Sequence, residues 1–140
     1  MHKTHTAPTI KKVAFFTTLL LLLLNGTGAV YGGLHLITDP SGGSLQMPLS
    51  FLQHSPFQNY LIPGIILFLV NGVFSFLVIT ALLVKHRQAH RLVILQGALL
   101  AGWIAIQIIM LQTFYPPMHL PFFMIGVFLV GCGMYLQANR

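Results

Sequence analysis

Few side chains in this chain could do chemistry. Asp39 is the only acidic residue, Cys132 the only thiol, and seven histidines carry most of the acid–base potential near neutral pH. His35 and Asp39 stand four residues apart, which puts them on one helix face if the helix persists that far. An imidazole oriented by a carboxylate is an arrangement used in general-base catalysis and behind metal ligands. With a hydroxyl such as Ser41 or Ser55 nearby, the pair would make the dyad of a membrane enzyme. His54 and His119 fall in the other two regions expected on the same side. His35, Asp39, His54 and His119 together therefore form a candidate metal set, since a metal needs three or four convergent ligands. Their spacing matches no metal signature. The plainer expectation is a set of interfacial side chains, each with one end wet and one end packed, and no cofactor. Haem held between facing helices needs two histidines at equal depth. His35 lacks such a partner, because His119 precedes the last span.

What is missing excludes several classes. No carboxylate lies near the middle of an apolar stretch. That argues against a small multidrug-type antiporter, a carboxylate-bridged dimetal site and a two-carboxylate hydrolase. A single cysteine excludes an intramolecular disulfide and dithiol chemistry with quinones. Cys132, between Gly131 and Gly133, reads as a small packing residue. The polar residues within apolar stretches are amides, hydroxyls and an indole. Asn71 and Ser75 are four apart, and Gln96, Trp103 and Gln107 follow at offsets of seven and four. Each set shares a helix face. They serve either as interhelical hydrogen-bond glue, worth about 0.6 kcal/mol per bond, or as the lining of a polar cavity. His35, Asp39, His54, Tyr60, Asn71, Trp103, Gln107 and His119 are the candidate ligand-binding residues of a pocket on the outer side.

The elements that must position these residues follow from composition. The chain is 56% hydrophobic and 6% charged, with a mean hydropathy of +0.83. The expected class is an all-α integral membrane protein, folded as one domain over residues 1–140. Spans are predicted at 13–37, 61–84, 92–114 and 122–136, joined by an outer loop at 38–60, an inner turn at 85–91 and an outer turn at 115–121. This threading puts all seven Lys and Arg residues on one side. Cytoplasmic loops are enriched in such residues, so both termini of the antiparallel four-helix bundle are expected in the cytoplasm. The net charge of +6 is then a matter of topology and does not imply nucleic-acid binding. Lys85, His86, Arg87, His90 and Arg91 are candidate contacts for anionic headgroups, at about 1 kcal/mol per Lys or Arg. A basic start followed by an apolar run also describes a signal peptide, with Thr27-Gly28-Ala29 as a cleavage site. Apolar character resumes at Ala29-Val30-Tyr31, and the segment reads as a retained helix.

Residues 44–60 alternate greasy and wet side chains, as an amphipathic segment does in an interface or between helices. Ser55-Pro56 resembles an N-cap with proline at the first helical position and predicts a short helix leading into the second span. Tyr60 and Tyr115 fit an outer aromatic belt, with Tyr135 at the inner face. Asn25-Gly26-Thr27 matches the glycosylation sequon but lies at membrane depth. Small residues recur at packing distance, as Gly28/Gly32 on the first span and as Gly97/Ala101, Ala98/Gly102 and Ala101/Ala105 on the third. Such pairs serve internal packing or dimerisation, and internal packing is favoured.

Residues 33–64 also resemble a pattern in small uncharacterised bacterial four-span integral membrane proteins. The resemblance rests on Asp39-Pro40-Ser41-Gly42, Ser55-Pro56-Phe57 and Tyr60-Leu61-Ile62-Pro63-Gly64, and covers about a quarter of the chain. It implies a four-helix fold in a bacterial cytoplasmic (inner) membrane and carries over no site residue. The leading expectation is a non-enzymatic protein that binds a lipid or a small apolar or amphipathic ligand in an outward-facing pocket. The alternatives are an accessory subunit docked on a membrane partner, an oligomeric small-solute or ion transporter, possession of a metal site, and an enzyme using His35 and Asp39. Membrane lipids are the expected partners, with a protein partner or a homodimer as further candidates.

Overall fold

Backbone in long apolar stretches has no water to bond to, so its N–H and C=O groups must pair within the stretch, which selects helices. The computed structural model describes residues 6–112 and 116–140, and these residues form helices and connecting turns. We number the long helices α1 (Thr6–Thr38), α2 (Leu61–Leu83), α3 (Ala89–Leu111) and α4 (Pro116–Ala138). All four are long and apolar enough to cross a membrane. Burial differs from that of a water-soluble bundle in two respects. Leu20, Leu77, Ile106, Ile109 and Phe128 are exposed, while Asn25, Asn71, Ser75 and Gln96 are buried. His2, Lys3, His5 and Tyr115 lie outside the described residues.

Several helix ends depart from the sequence expectation. α1 is already helical at Thr6, the first described residue, upstream of the expected start near 13. α2 closes through Lys85 at φ 56°, with His86 N–H donating to the Ala81 carbonyl (2.9 Å) and Lys85 N–H to that of Leu82 (3.2 Å). The His86 ring then accepts the Gln88 N–H at Nδ1 (3.0 Å). This shortens the turn, so α3 starts at Ala89 and takes His90 and Arg91 into its first turn. α3 ends at Leu111, where Gln112 adopts φ 52°. Residues 116–121, expected as a turn, are helical. Pro116 and Pro117 are the first described residues of α4, and Pro121 lies inside the helix, where its missing N–H removes an intrahelical bond. No helix follows Ser55-Pro56. Ser55 Oγ instead donates to the Leu52 carbonyl (2.9 Å) and accepts the Phe57 N–H (3.2 Å), closing a turn. α2 begins at Leu61, whose N–H is accepted by Asn59 Oδ1 (3.0 Å).

Glycines set the closest helix approaches. A Cβ on Gly33 would lie 2.7 Å from Phe68 Cβ, one on Gly64 2.7 Å from Leu36 Cβ, and one on Gly72 2.9 Å from Val30 Cγ2. Positions 30, 33 and 36 of α1 thus meet 72, 68 and 64 of α2, numbers rising on one helix as they fall on the other. On the second pair, a Cβ on Gly97 would lie 2.6 Å from the Gly126 carbonyl oxygen and 2.8 Å from the Val130 nitrogen. One on Gly126 would reach the Ala101 nitrogen at 3.0 Å, so the Gly97/Ala101 face packs internally. Gly28 and Gly32 do not belong to the tight α1–α2 contact. Their nearest neighbours to an added Cβ are Phe122 at 3.9 Å and Leu67 at 3.4 Å.

At one end of the molecule Leu22, Val78, Leu82, Ala89, Val93 and Leu129 form a single apolar cluster drawn from all four helices. Phe15 packs on it, and Gly133 sits against His90 and Ile94. Lys11, Lys12, Lys85, Arg87, Arg91 and Arg140 therefore gather at this end. Within α2, the segment Leu67–Val73 is a π turn, where hydrogen bonds reach to the fifth residue. Asn71 and Gly72 sit buried inside it.

Gly97→Val would force a branched side chain into α4 backbone. It is expected to lower unfolding stability by about 1–3 kcal/mol, measured by thermal denaturation in nanodiscs. Gly102, where an added Cβ meets nothing within 4 Å, should accept the same change without loss.

Candidate functional site: a capped cavity above a buried amide network

The segment after α1 folds back over the helix ends, and Asp39 organises it. Its carboxylate accepts the Ser41 hydroxyl at Oδ1 (2.6 Å) and the Ser44 N–H at Oδ2 (3.0 Å). Gly42, at φ 78°, lets the Met47 N–H reach its carbonyl (2.9 Å), and the turn packs so closely on Tyr60 that a Cβ there would collide with its ring. Two short 3-10 turns follow, Gly43–Leu45 and Leu49–Leu52. Leu52 and Tyr60 then bury against Leu36 of α1, with Leu45, Met47 and Phe57 around them. The Tyr60 hydroxyl donates to the Pro48 carbonyl (2.8 Å), and its N–H to that of Pro40 (2.9 Å). Burial pushes the Tyr60 phenol above its ordinary 10.0, so this donor keeps its proton at physiological pH. The amphipathic segment is thus a cap.

Midway along the bundle, four buried polar side chains from three helices bond to one another. Asn25 Nδ2 of α1 donates to Ser75 Oγ (3.0 Å) and to the Asn71 carbonyl (3.4 Å) of α2. Ser75 Oγ donates to Gln96 Oε1 of α3 (3.1 Å), and Gln96 Nε2 donates to Asn71 Oδ1 (3.2 Å). Donation thus runs one way, from Asn25 through Ser75 and Gln96 to Asn71. Asn25, Asn71, Ser75 and Gln96 are each at most 2% exposed. Asn71 Nδ2 and Trp103 Nε1 are buried donors with no acceptor among the described residues, each costing about 1–3 kcal/mol.

Between this network and the cap lies a cavity of about 240 Å³. Its walls come from α1 (Asn25, Gly28, Ala29, Gly32, Leu36), from the cap and start of α2 (Leu45, Met47, Leu52, Tyr60, Pro63, Leu67), and from α3 and α4. Leu100, Trp103, Ile104, Gln107, Met110, Leu111 and Phe122 complete it. It runs from Asn25 to Leu36 along α1, about 16 Å at 1.5 Å per residue. Apolar side chains dominate, Asn25 and Gln107 supply the free amide chemistry, and no lining residue is charged. An absent side chain at Gly28 and Gly32 is what leaves the α1 wall open.

Of the residues singled out from sequence, Tyr60, Trp103 and Gln107 line this cavity, and Asn71 lies beneath it in the network. Asn71, Ser75 and Gln96 act as glue, while Trp103 and Gln107 serve as lining. His35, Asp39, His54 and His119 are not lining residues. The His35 ring stacks on Tyr31 at 4.4 Å while the Asp39 carboxylate is held by Ser41 and Ser44, so the alternative of a His35–Asp39 dyad is not assembled. The hydroxyls proposed for that dyad are spent locally, Ser41 on Asp39 and Ser55 on Leu52. His54 is exposed on the cap and His119 is fully buried in the first turn of α4. Among the described residues no three of His, Cys, Asp and Glu come together as a metal site would require. Lys85, His86, Arg87 and Arg91 are exposed at the basic end, as headgroup contact needs, and His90 is half-buried.

Asn25 is the residue that sequence reasoning missed. Its sequon context drew attention to glycosylation, although an amide inside an apolar run is itself a sign of a buried partner. No family model, curated protein or solved structure matches this chain. Its functional reading therefore rests on the cavity and the network beneath it.

Two outcomes are expected. Ser75→Ala removes the relay between α1 and α3 and should cost about 1–3 kcal/mol. Combined with Gln96→Leu, it should cost less than the sum of the two single changes, read as a double-mutant cycle of unfolding free energies. Hydrogen bonds from Ser41 first, and then from the Ser44 N–H, hold the Asp39 carboxyl below its ordinary 3.8. A depressed folded-state value stabilises the cap above 3.8, and that contribution is lost as pH falls through the lower folded value. Protection of the Ser44 amide, corrected for intrinsic exchange, should drop below pH 3.8 in the wild type and stay flat in Asp39→Asn.

Proposed function

We propose that this is a non-enzymatic multi-pass protein of a bacterial cytoplasmic membrane that binds a small apolar or amphipathic molecule between its helices. In this reading the chain inserts as an antiparallel four-helix bundle with both termini in the cytoplasm. The gathering of Lys11, Lys12, Lys85, Arg87, Arg91 and Arg140 at one end supports that orientation. The cap and the cavity beneath it then face outward, and the basic end meets anionic headgroups.

The observation that carries the reading is the cavity itself, about 240 Å³, mostly apolar and roofed at one end by a dedicated segment. Close packing is the rule in protein interiors, and an unfilled void forfeits dispersion contacts along its whole lining. An engineered apolar cavity of about 150 Å³ takes up benzene. By proportion, this one holds about ten heavy atoms. A lipid would enter only by an acyl end, which favours small amphiphiles. A second reading, an accessory subunit, draws on Ala98, Gly102 and Ala105, small exposed residues of α3 that the bundle leaves uncovered.

Trp103 is the only tryptophan and lines the cavity, so its emission reports occupancy directly. Gly28→Leu should fill the α1 wall, where an added Cβ has only ordinary contacts with Phe122. The expected result is loss of any ligand-dependent change in Trp103 emission, at unchanged or higher thermal stability. If ligand response survives the filled wall, the cavity is not the binding site. Capture of a membrane protein through α3, abolished by Gly102→Leu, would favour the accessory reading.

A further inference from the structure

We infer that the molecule taken into this cavity is a neutral amphiphile of about ten heavy atoms whose polar end donates a hydrogen bond, an alcohol or phenol, and that Asn25 accepts it. This rests on the reading of the cavity as a binding site and adds the chemistry of the ligand's head.

The direction of the amide network carries the inference. Asn25 Nδ2 faces the Asn71 carbonyl at 3.4 Å and Ser75 Oγ at 3.0 Å. Only the nitrogen of a carboxamide can face a carbonyl oxygen, so the Asn25 side chain cannot be turned the other way round. Its Oδ1 is thereby directed away from both groups, and it takes no hydrogen bond within the described chain. Donation inside the network runs outward from Asn25, through Ser75 and Gln96, and ends at Asn71. No donor in it returns to Asn25. The residue is 2% exposed and is part of the cavity lining at the end away from the cap. An acceptor in an apolar surrounding is costly to leave unbonded, and a ligand that brings a proton donor removes that cost.

The rest of the wall decides what else the head can be. The Tyr60 hydroxyl is already committed to the Pro48 carbonyl, so it is not offered to a ligand. A carboxylate or phosphate would set acceptor oxygens against Asn25 Oδ1 with no cation in the wall. An ammonium would give up its hydration for one neutral oxygen. Ketones, ethers and esters accept but do not donate: they could meet the lining donors of Trp103 and Gln107, but they leave Asn25 Oδ1 unbonded. A hydroxyl satisfies Asn25, keeps the group uncharged and leaves the remainder of the molecule to run past Gly28, Gly32 and Leu36 toward the cap.

The test compares nine-heavy-atom probes matched in size: 1-octanol, 2-octanone and n-nonane. Each is titrated into the protein in nanodiscs, with Trp103 emission as readout and concentrations corrected for lipid partitioning. The expected result is binding of 1-octanol about tenfold tighter than of 2-octanone or nonane. Asn25→Val should bind all three within about twofold of one another. Because that variant also touches the network, the wild-type ratio stands as the primary readout and needs no variant. Equal binding of alcohol and ketone to wild type would overturn the head-group assignment while leaving the cavity as a site. No response to any of the three, with the same lack of response in Gly28→Leu, would overturn the binding reading itself.

Discussion

A carboxamide held away from water has to find its partners inside the chain, and the bundle is arranged around that requirement at Asn25. Its bonds reach Ser75 and the Asn71 carbonyl of α2, and Ser75 passes the connection on to Gln96 of α3. Three helices are thus pinned at one level by groups that have no good alternative in an apolar setting. The fourth is attached differently, by backbone contact at Gly97, Gly126 and Gly133. Hydrogen bonds choose the level at which the helices meet, and glycines choose how near they come. Neither does the other's task, because dispersion alone fixes no axial register and amides alone do not bring backbones together.

That division explains where space remains. α1 and α2 close tightly along Gly33, Gly64 and Gly72, and α3 closes on α4 along its own glycines. Toward the basic end the two pairs converge on the Leu22–Val78–Leu129 cluster. Toward the cap they are joined through the network below, with Trp103 and Phe122 in the walls above it, and the gap between the network and the cap is the cavity. Gly28 and Gly32 contribute by what they lack, since neither is used for close approach. The cap then roofs one end of a space that helix packing alone leaves open, using Leu52 and Tyr60 as its buried anchors. Its loop geometry depends on one carboxylate, the only one in the chain.

Much of this was legible in the sequence, though unevenly. Four helices long and apolar enough to cross a membrane follow from the long apolar runs, and the Gly97/Ala101 face follows from its four-residue spacing. Asn71, Ser75 and Gln96 stood out as polar positions on shared faces, and they meet as expected of glue. Helix ends were harder, because proline has opposite meanings on the two sides of a helix start. Pro116 and Pro117 looked like a turn and proved to be helical, whereas Pro56 looked like an opening and proved to be a turn. The His35–Asp39 pairing failed for a related reason. A four-residue spacing implies proximity only while the helix continues, and α1 ends at Thr38, where Asp39 turns to serve the cap. Asn25 was obscured by Thr27, which makes a sequon on paper but spends its hydroxyl on the Leu23 carbonyl at 2.7 Å. The one-way order of donation could not be read from residue types, since an amide is donor and acceptor at once.

The π turn in α2 has an implication for how the length of this helix is counted. A π turn is what an α-helix becomes when it takes in one residue more than its path needs, with both flanks keeping their original faces. Leu61–Leu83 is therefore, in packing terms, a helix one residue shorter that carries a surplus residue somewhere in Leu67–Val73. Loss of one residue there would heal the ladder and leave Gly64 and Val78 in phase with their neighbours. What would vanish is the local widening of the backbone around Asn71, whose carbonyl accepts from Asn25. Addition of a residue has no such refuge and would swing one flank by about 100° against the other. Length variation at this point is thus one-sided, tolerant of a chain that is shorter by one and closed to a chain that is longer.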